Sequence, residues 1–272
     1  MQISVIIPTY KPQNYLWKCL DSLIKQDLSY DEFEIIIILN GPKDSYEESI
    51  LKYISNVKVP LTFKYLYSPF GNVSNARNIG MDNASGKYYC FIDDDDYVST
   101  SYLKEMFLLV DKDTIPLSNL IAFKDKTNEK IDYGITSTFK KCKNKKKSNI
   151  FSARSYFSVP VCKLIDREIV HNFRFNINHK NGEDGLFMFS ISKNVKKVVF
   201  TSSKAIYYRR WRNNSAATRK RSLKKRCIDL MKLWKDYFLI WIKSPFDYNL
   251  VFFNTRFLAG IKNIIISLMK KY

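Results

Sequence analysis

An almost unbroken apolar run at residues 33–39 places the strongest constraint on the fold. Its sequence is FEIIIIL, so only Glu34 interrupts it. A strand with one solvent-exposed face alternates apolar and polar residues, whereas a strand that is covered on both faces is apolar nearly throughout. The run therefore predicts a central strand of a parallel sheet with helices on both sides.

Strand and helix patterns alternate through the first hundred residues. Strands are predicted at 3–8, 33–39, 61–67 and 87–92, and helices at 12–24, 44–54 and 73–84. This βαβαβαβ order predicts a doubly wound, mostly parallel α/β sheet. Ligands bind such sheets beyond the carboxyl ends of the strands, where residues 8–10, 40–42 and 93–96 are expected.

Four consecutive aspartates, residues 93–96, directly follow the strand predicted at 87–92. Like charges crowded at the end of a buried strand repel one another strongly, which implies a compensating cation. Mg²⁺ and Mn²⁺ prefer carboxylate oxygens together with the phosphates of a substrate. The alternative is a solvated acidic turn that caps the following helix.

Basic residues are concentrated after the first hundred residues. Residues 1–100 contain nine Lys and Arg against thirteen Asp and Glu, so the net charge of +19 comes from the remainder. The runs 140–147 and 219–226 contain six basic residues each, which would suit a nucleic-acid patch, a membrane-surface patch or a solvated loop. Five widely spaced cysteines and no signal-peptide pattern predict a cytoplasmic protein with reduced thiols.

Four ordered segments resemble those of family 2 glycosyltransferases. They are SVIIPTYKPQNYLWKCLDSLIKQ, EIIIILNGPKD, GNVSNARNIGMDNASGKYYCFIDDDDYV and NGEDGLF, followed by the element YYR at 207–209. The resemblance implies a GT-A-type, mostly parallel sheet flanked by helices and an inverting sugar transfer. It implies a catalytic domain at residues 1–215, with residues 216–272 as a basic helical extension.

The same resemblance implies roles for the acidic residues. The DXD-type motif of the family holds Mn²⁺ or Mg²⁺ against the diphosphate of a nucleotide-sugar, which assigns Asp93 and Asp95 to the metal and Asp94 and Asp96 to neighbouring donor contacts. Asp184 becomes the general base that takes the proton of the acceptor hydroxyl. Glu183 and Asp184 would also suit the acidic first turn of a helix, and the two roles are compatible.

Further donor contacts follow from the resemblance. Pro8, Thr9 and Tyr10 stand where the family contacts the nucleoside, and Asn75 and Arg77 stand in its N-x-A-R-N element. Arg77 would equally serve as a structural partner of the aspartates. Many members have acidic residues after the second strand where this chain has Asn40. Its amide can hydrogen-bond a base or a ribose, but uridine recognition is not implied.

Residues 207–215 resemble a flexible loop that closes over the donor diphosphate. Arginine binds phosphate through paired N–H donors, and closure of such a loop excludes water that would hydrolyse the donor. Arg209 and Arg212 are the candidates, with Trp211 and Glu183 on the acceptor side. The alternative is a basic surface strand.

Two further helices are predicted at residues 223–241 and 250–269. In the second, the apolar face comprises Leu250, Phe253, Phe257, Ile261, Ile264, Ile265 and Leu268, and the polar face comprises Thr255, Arg256, Lys262, Asn263 and Lys270. A spanning helix needs about 20 mainly apolar residues, and polar residues interrupt this one. The helices are expected to lie on an anionic membrane surface, or to pack on the catalytic domain or on a second subunit.

The prediction is therefore a metal-dependent, inverting glycosyltransferase of bacterial surface-polysaccharide synthesis. Its partners would be a nucleotide-sugar donor and a glycan or lipid-linked glycan acceptor, with attachment to the inner face of the plasma membrane if the last helices bind it. A nucleotidyltransferase is one rival, although the Gly-rich phosphate loop that it would need is missing after the first strand. The other is a nucleic-acid-binding protein, although no nucleic-acid partner is expected; its binding would survive Asp95→Ala.

Overall fold

A computed structural model of the chain describes residues 1–144, 148–212 and 222–269. Parts of both basic runs, at 145–147 and 219–221, lie outside the described residues. So do residues 213–215 of the predicted loop and the predicted domain boundary at 215/216. Five predicted positions of the last helix also have side chains outside this description: Lys262, Asn263, Ile264, Leu268 and Lys270.

Each element predicted within the first hundred residues is present, and short strands follow it. The strands are β1 (Ile3–Thr9), β2 (Phe33–Asn40), β3 (Thr62–Ser68), β4 (Tyr88–Phe91), β5 (Tyr97–Val98), β6 (Thr114–Leu117), β7 (Asn119–Lys124), β8 (Lys130–Ile131), β9 (Ile165–Asp166), β10 (Lys197–Phe200) and β11 (Ile206–Trp211). The helices are α1 (Asn14–Ile24), α2 (Tyr46–Asn56), α3 (Val73–Asp82), α4 (Tyr102–Phe107), α5 (Gly134–Cys142), α6 (Arg167–Val170), α7 (Glu183–Ile191), α8 (Leu223–Lys243) and α9 (Leu250–Met269).

The main sheet has the strand order β3-β2-β1-β4-β9. β1 pairs in parallel with β2 and β4, and β2 with β3, whereas β9 is antiparallel to β4. Every residue of β1 and β2 is buried, as the apolar run predicts. Glu34, the polar exception, is buried with its Oε2 2.8 Å from Lys64 Nζ. The predicted mostly parallel α/β sheet is thus confirmed.

A second sheet, of order β5-β11-β7-β8, lies beside the aspartates. β11 is parallel to β7 and antiparallel to β5, which begins directly after Asp96. Tyr207 on β11 is fully buried, and its hydroxyl oxygen accepts a hydrogen bond from the backbone N–H of Asp93 at 3.1 Å. The predicted flexible loop is therefore wrong for residues 207–211, because pairing with sequence-distant strands holds them in a sheet.

The helices α8 and α9 pack against each other, and α8 packs against α7. Tyr237 of α8 meets Phe189 of α7 with ring centroids 5.1 Å apart, and Phe252 of α9 meets Phe157 at 5.6 Å. Of the predicted alternatives, packing of the last two helices on the preceding part of the chain is therefore observed. Within the described ranges, no helix has both the length and the apolar character that a membrane span requires.

The rotation of α9 differs from the prediction. Arg256, expected on the polar face, is only 9% exposed, whereas Leu250, Ile261 and Ile265 of the expected apolar face are 57%, 42% and 49% exposed. Large apolar side chains occur all round this helix, so spacing alone does not decide which side packs. Phe253 of the expected apolar face is buried as predicted, and Phe252, which was assigned to neither face, is buried beside it.

Candidate active site

A cavity of about 570 Å³ opens at the carboxyl ends of β1, β2 and β4. It collects most of the residues that the sequence predicts for the site: Pro8, Tyr10, Asn40, Arg77, Asp93, Asp94, Asp95, Asp96, Glu183, Asp184, Arg209, Trp211 and Arg212. Thr9 and Asn75 do not line it. The acidic residues at 93–96 and at 183–184, although far apart in the chain, thus face one space.

Arg77 joins the two acidic groups. It projects from α3 and is 3% exposed. One terminal nitrogen donates to Asp184 Oδ1 at 2.6 Å and the other to Asp93 Oδ1 at 2.9 Å. The guanidinium also lies over the ring of Phe175, 5.2 Å from its centroid. Of the two predicted roles for Arg77, the structural partner of the aspartates is therefore the one that its contacts display.

Asp94 and Asp95 each have a separate partner. Thr9 Oγ1 donates to Asp94 Oδ2 at 2.5 Å, and Arg212 lies 2.5 Å from Asp95 Oδ2. Thr9 is only 1% exposed, so it supports the cluster from behind the cavity wall and is not placed to touch a nucleoside.

Asp96 connects the cluster to β11. It is buried and accepts a hydrogen bond from the backbone N–H of Arg210 at 2.7 Å. The Arg210 side chain donates to the carbonyl of Asp95 at 3.0 Å and to Asp125 at 2.8 Å. Asp96, predicted as a donor contact, is thus held in the cavity lining by the backbone of β11.

The cluster keeps an excess of negative charge despite these partners. Burial and repulsion from Asp95 raise the pKa of Asp94 to about 7. Burial also raises the pKa of Asp95, and it raises that of Asp96 further, since neighbouring aspartates disfavour another charge. A bound cation would offset this repulsion.

The carboxylates fit a divalent metal that is shared with a substrate. The side chains of Asp93 and Asp95 are 36% and 18% exposed, and both line the cavity. Within the described part of the chain, no three His, Cys, Asp or Glu side chains converge as a complete metal site. Mg²⁺ and related ions are often held by one or two carboxylates plus substrate phosphates, which is the arrangement that these residues permit.

Glu183 and Asp184 form the first turn of α7. Gly182 precedes them with φ of 80°, and a Cβ there would lie 2.6 Å from Leu233 of α8, so the turn requires glycine. Burial and the neighbouring Asp184 raise the pKa of Glu183 to about 7, and its Oε2 is buried without a hydrogen-bond partner among the described residues. Burial raises the pKa of Asp184 while Arg77 opposes that shift. The predicted helix-terminal position is therefore observed, and it places both carboxyl groups at the cavity.

Tyr10 forms an aromatic wall of the cavity. Tyr10 is 53% exposed, and its ring packs directly against Gly41 and Gly71. A Cβ at Gly41 would lie 2.5 Å from the ring, and a Cβ at Gly71 would lie 2.8 Å from it. Gly41 also has φ of 130°, which other residues rarely adopt. An exposed ring at a cavity wall can stack on a nucleobase.

Asn40 and Asn75 hold the strand ends around this wall. Asn40 is buried, and its Nδ2 donates to the carbonyl of Thr9 at 2.7 Å. Asn75 Nδ2 donates to Ser68 Oγ at 3.1 Å, which ties α3 to the end of β3. Asn75 is therefore a support, and Asn40 combines support with a place in the cavity wall.

The basic side of the cavity is larger than the sequence predicts. Arg209 hydrogen-bonds the hydroxyl of Tyr133 and stacks on its ring, with 5.0 Å to the centroid. Lys180, Arg210 and Ser158 line the cavity although none of them was predicted. Lys180 lies directly before the NGEDGLF segment, a signal that could have identified it.

Comparison with known sequences agrees with this geometry. Residues 4–174 match the protein-family model "Glycosyl transferase family 2". The chain is 29% identical over 222 residues to glycosyltransferase GlyA of Streptococcus pneumoniae, covering 76% of this chain and 30% of that protein. It is 27% identical over 210 residues to poly(ribitol-phosphate) beta-N-acetylglucosaminyltransferase TarS of Staphylococcus aureus, covering 76% of this chain and 35% of TarS. The chain thus spans about a third of the length of these curated relatives.

Solved structures share the fold. The crystal structure of S. aureus TarS 1–349 in complex with UDP-GlcNAc gives a TM-score of 0.70 at 22% identity, covering 87% of this chain and 66% of that one. The mannosyltransferase PcManGT from Pyrobaculum calidifontis, in complex with GDP-Man and Mn²⁺, gives 0.57 at 12% identity, covering 87% and 63%. At these identities the similarity concerns the arrangement of strands and helices.

Proposed function

Because this chain belongs to glycosyl transferase family 2 and has the GT-A fold of its structural relatives, we propose that it transfers a sugar from a nucleotide-sugar to a glycan hydroxyl with inversion at the anomeric carbon. The observation that carries the proposal is the bridge through Arg77, which joins Asp93 at the metal position to Asp184 at the base position. One buried guanidinium thereby fixes the spacing of the two groups that the reaction requires.

Asp184 serves as the base. In an inverting transfer the acceptor oxygen attacks the anomeric carbon from the face opposite the diphosphate, the bond from that carbon to the diphosphate breaks, and the hydroxyl proton must leave. Arg77 orients Asp184 through Oδ1, and Oδ2 takes the proton. The raised pKa of Asp184 brings its basicity closer to neutral pH, which favours proton transfer.

Positive charge stabilises the diphosphate as it departs. A divalent metal held by Asp93 and Asp95 would supply part of that charge. Arg209 and Arg212 supply guanidinium donors suited to phosphate oxygens, and Arg212 exchanges Asp95 for phosphate when the donor binds. A structural relative is in complex with GDP-Man and Mn²⁺, which supports a divalent metal as the cofactor.

The donor belongs to the nucleoside diphosphate sugars. The related structures are complexes with UDP-GlcNAc and with GDP-Man, which are both nucleoside diphosphate sugars. In this chain the ring of Tyr10 provides the surface on which the base stacks, with Asn40 beside it. TarS and the minor teichoic acid biosynthesis protein GgaB of Bacillus subtilis serve cell-wall polymers, which supports a bacterial surface glycan as the acceptor.

The outer faces of α8 and α9 lie on an anionic bilayer, where a lipid-linked acceptor would be found. The exposed apolar residues of this outer face are Ile228, Met231, Phe238, Leu239, Ile242, Phe246, Leu250, Val251, Leu258, Ile261 and Ile265. Phe246, between the helices, is 101% exposed. Lys232, Lys235 and Lys243 are exposed along the same stretch of α8, so the apolar surface carries a positive charge complementary to anionic lipid.

A donor-binding and turnover experiment tests the proposed function. Nucleotide-sugars are screened by thermal shift with and without Mn²⁺, since a ligand that binds only the folded state raises its stability. The donor found is then used to follow nucleotide release with Asp95→Asn, Asp184→Asn and the control Asp82→Asn, an exposed aspartate on α3. We expect Asp95→Asn to lose the Mn²⁺-dependent shift and Asp184→Asn to keep it while losing turnover.

The alternatives give different results in the same experiment. A nucleotidyltransferase would release pyrophosphate from a nucleoside triphosphate, and a nucleic-acid-binding protein would bind RNA or DNA equally well after Asp95→Asn. Turnover by Asp184→Asn at the rate of the unmodified protein would overturn the assignment of the base.

A further inference from the structure

We propose that the acceptor carries a phosphate group and that a second, basic cavity beside the active site binds it; this inference rests on the proposed transferase function. The basic cavity has a volume of about 380 Å³. Its cations are Lys141, Arg154 and Arg256. None of the described residues that line it is an Asp or a Glu.

Arg256 is the buried cation of this cavity. Arg256 is 9% exposed, and its guanidinium lies 4.3 Å from the ring centroid of Phe252. It donates long hydrogen bonds, at 3.2–3.3 Å, to two carbonyls and to Ser158 Oγ, and it also interacts with the Tyr237 hydroxyl. Its Nε is buried with no hydrogen-bond partner among the described residues. A buried charge is costly unless an opposite charge compensates it, and an anion in the cavity would provide that compensation.

The remaining groups of the cavity match a phosphate. Lys141 and Arg154 are exposed, so they can turn towards a ligand. Thr138, Ser155 and Thr255 also line the space, and their hydroxyl groups donate to partners within the chain. A phosphate ester offers several acceptor oxygens and up to two negative charges, which suits two arginines and a lysine. A neutral sugar would leave Arg256 without a counter-charge.

The position of the cavity assigns the phosphate to the acceptor. Ser158 lines both the basic cavity and the candidate active site, and its Oγ accepts a hydrogen bond from Arg256. The cavity therefore adjoins the active site at Ser158. A ligand whose hydroxyl lies beside Asp184 can continue past Ser158 and place a phosphate against Arg256. The donor diphosphate is accounted for separately, by Arg209 and Arg212.

Binding of sn-glycerol 3-phosphate tests this inference without any transfer reaction. Calorimetric titration is done in EDTA, so that a metal-dependent diphosphate site does not contribute. Lys141→Met/Arg154→Met is the main variant because both side chains are exposed and their loss leaves the core intact. We expect one saturable site whose affinity falls at least about tenfold in this variant. Arg256→Met, a second variant, is expected to show a similar loss.

Two controls locate the site. Lys104→Met/Lys112→Met removes two exposed lysines elsewhere and should leave the affinity unchanged. Arg209→Met, in the active-site cavity, should also leave it unchanged. The inference is overturned if the unmodified protein shows no saturable binding, if Lys141→Met/Arg154→Met binds as tightly as the unmodified protein, or if Arg209→Met abolishes binding.

A lipid phosphate and a soluble phosphate are distinguished by a second probe. Vesicles of phosphatidylcholine with phosphatidic acid are sedimented with the same variants. Vesicle binding that falls in Lys141→Met/Arg154→Met assigns the cavity to a lipid-linked phosphate, and loss confined to glycerol 3-phosphate assigns it to a phosphate within the soluble chain of the acceptor. If Lys141→Met/Arg154→Met binds both probes as well as the unmodified protein does, the inference is overturned. Turnover of Asp184→Asn remains a separate test of the transferase function.

Discussion

Arg77→Met removes the charge on which the arrangement of the active site depends. The guanidinium is 3% exposed, and its nitrogens lie 2.6 Å from Asp184 and 2.9 Å from Asp93. Removal of one partner from a buried ion pair costs about 3–5 kcal/mol. Because the Asp184 and Asp93 side chains are 25% and 36% exposed, water recovers part of that cost, and we expect the free energy of unfolding to fall by about 2–4 kcal/mol.

Arg174→Met is the matched control for this substitution. Arg174 also pairs with a carboxylate, donating to Asp82 through two nitrogens at 3.1 and 2.8 Å. These side chains are 39% and 54% exposed, however. Exposed pairs contribute about 0–1 kcal/mol, so the control should change the free energy of unfolding by no more than that. Both variants are measured by urea denaturation in EDTA.

A double-mutant cycle isolates the bridge itself. Arg77→Met/Asp184→Asn removes the cation together with one of the two carboxylates that it compensates. We expect the double variant to be more stable than the sum of the single effects implies, with a coupling energy of about 1–3 kcal/mol. If Arg77→Met is no more destabilising than Arg174→Met, or if the coupling is zero, the bridge does not organise the site.

Three further measurements follow from the structure. Asp184→Asn should lower kcat by about 10²–10⁴-fold with unchanged donor affinity, because only the proton acceptor is lost; steady-state kinetics with donor titration would contradict this if kcat were normal. The folded-state pKa of Glu183 is raised from 4.5 to about 7, so ionisation of Glu183 should lower the stability of the protein as the pH rises between those values. Glu183→Gln should remove this contribution, while that of Asp94, whose pKa is also raised to about 7, remains. Measured by urea denaturation, the free energy of unfolding of Glu183→Gln should exceed that of the unmodified protein by about 1–3 kcal/mol near pH 8 and equal it near pH 4.5. An equal difference at both pH values would refute the raised pKa of Glu183. Phe238→Asp/Phe246→Asp should weaken sedimentation with phosphatidylglycerol vesicles at least about tenfold, because two exposed aromatic side chains would no longer enter the bilayer; the control Leu108→Asp, at a leucine that is 74% exposed elsewhere, should bind as before, and equal binding by all three proteins would refute the membrane face.

The first hundred residues were predictable because their signals are local. The apolar run of β2 and the helical spacing of α1 each lie within one element. The second sheet was not, since β5 and β8 are two residues long and exist only through pairing with β11 and β7. The spacing in α9 predicted a helix with the observed bounds, but it could not fix the rotation that buries Arg256.

Site residues could be predicted from the sequence where a single short motif identifies them. The aspartate cluster and the Glu183–Asp184 pair could be read directly and do face one cavity. Arg77 was left with two roles because its partners are 16 and 107 residues away. Arg210 was missed for the same reason, since the acceptor carbonyl of Asp95 is 115 residues distant. Contacts between residues that are distant in the sequence leave no periodic pattern from which they could be predicted.

The packing of α8 and α9 on α7 decides how the end of the chain can be manipulated. Tyr237 and Phe252 cover Phe189, and Tyr248 donates to the carbonyl of Ser190 at 3.0 Å. Side chains from α8 and α9 thus cover the apolar surface of α7, the helix that begins with Glu183 and Asp184. A fragment that ends near residue 215 would expose that aromatic surface. Any loss of activity or of vesicle binding in the fragment would then reflect a destabilised α7 as well as the missing helices. Exchange of this end between related enzymes would require matching changes on α7.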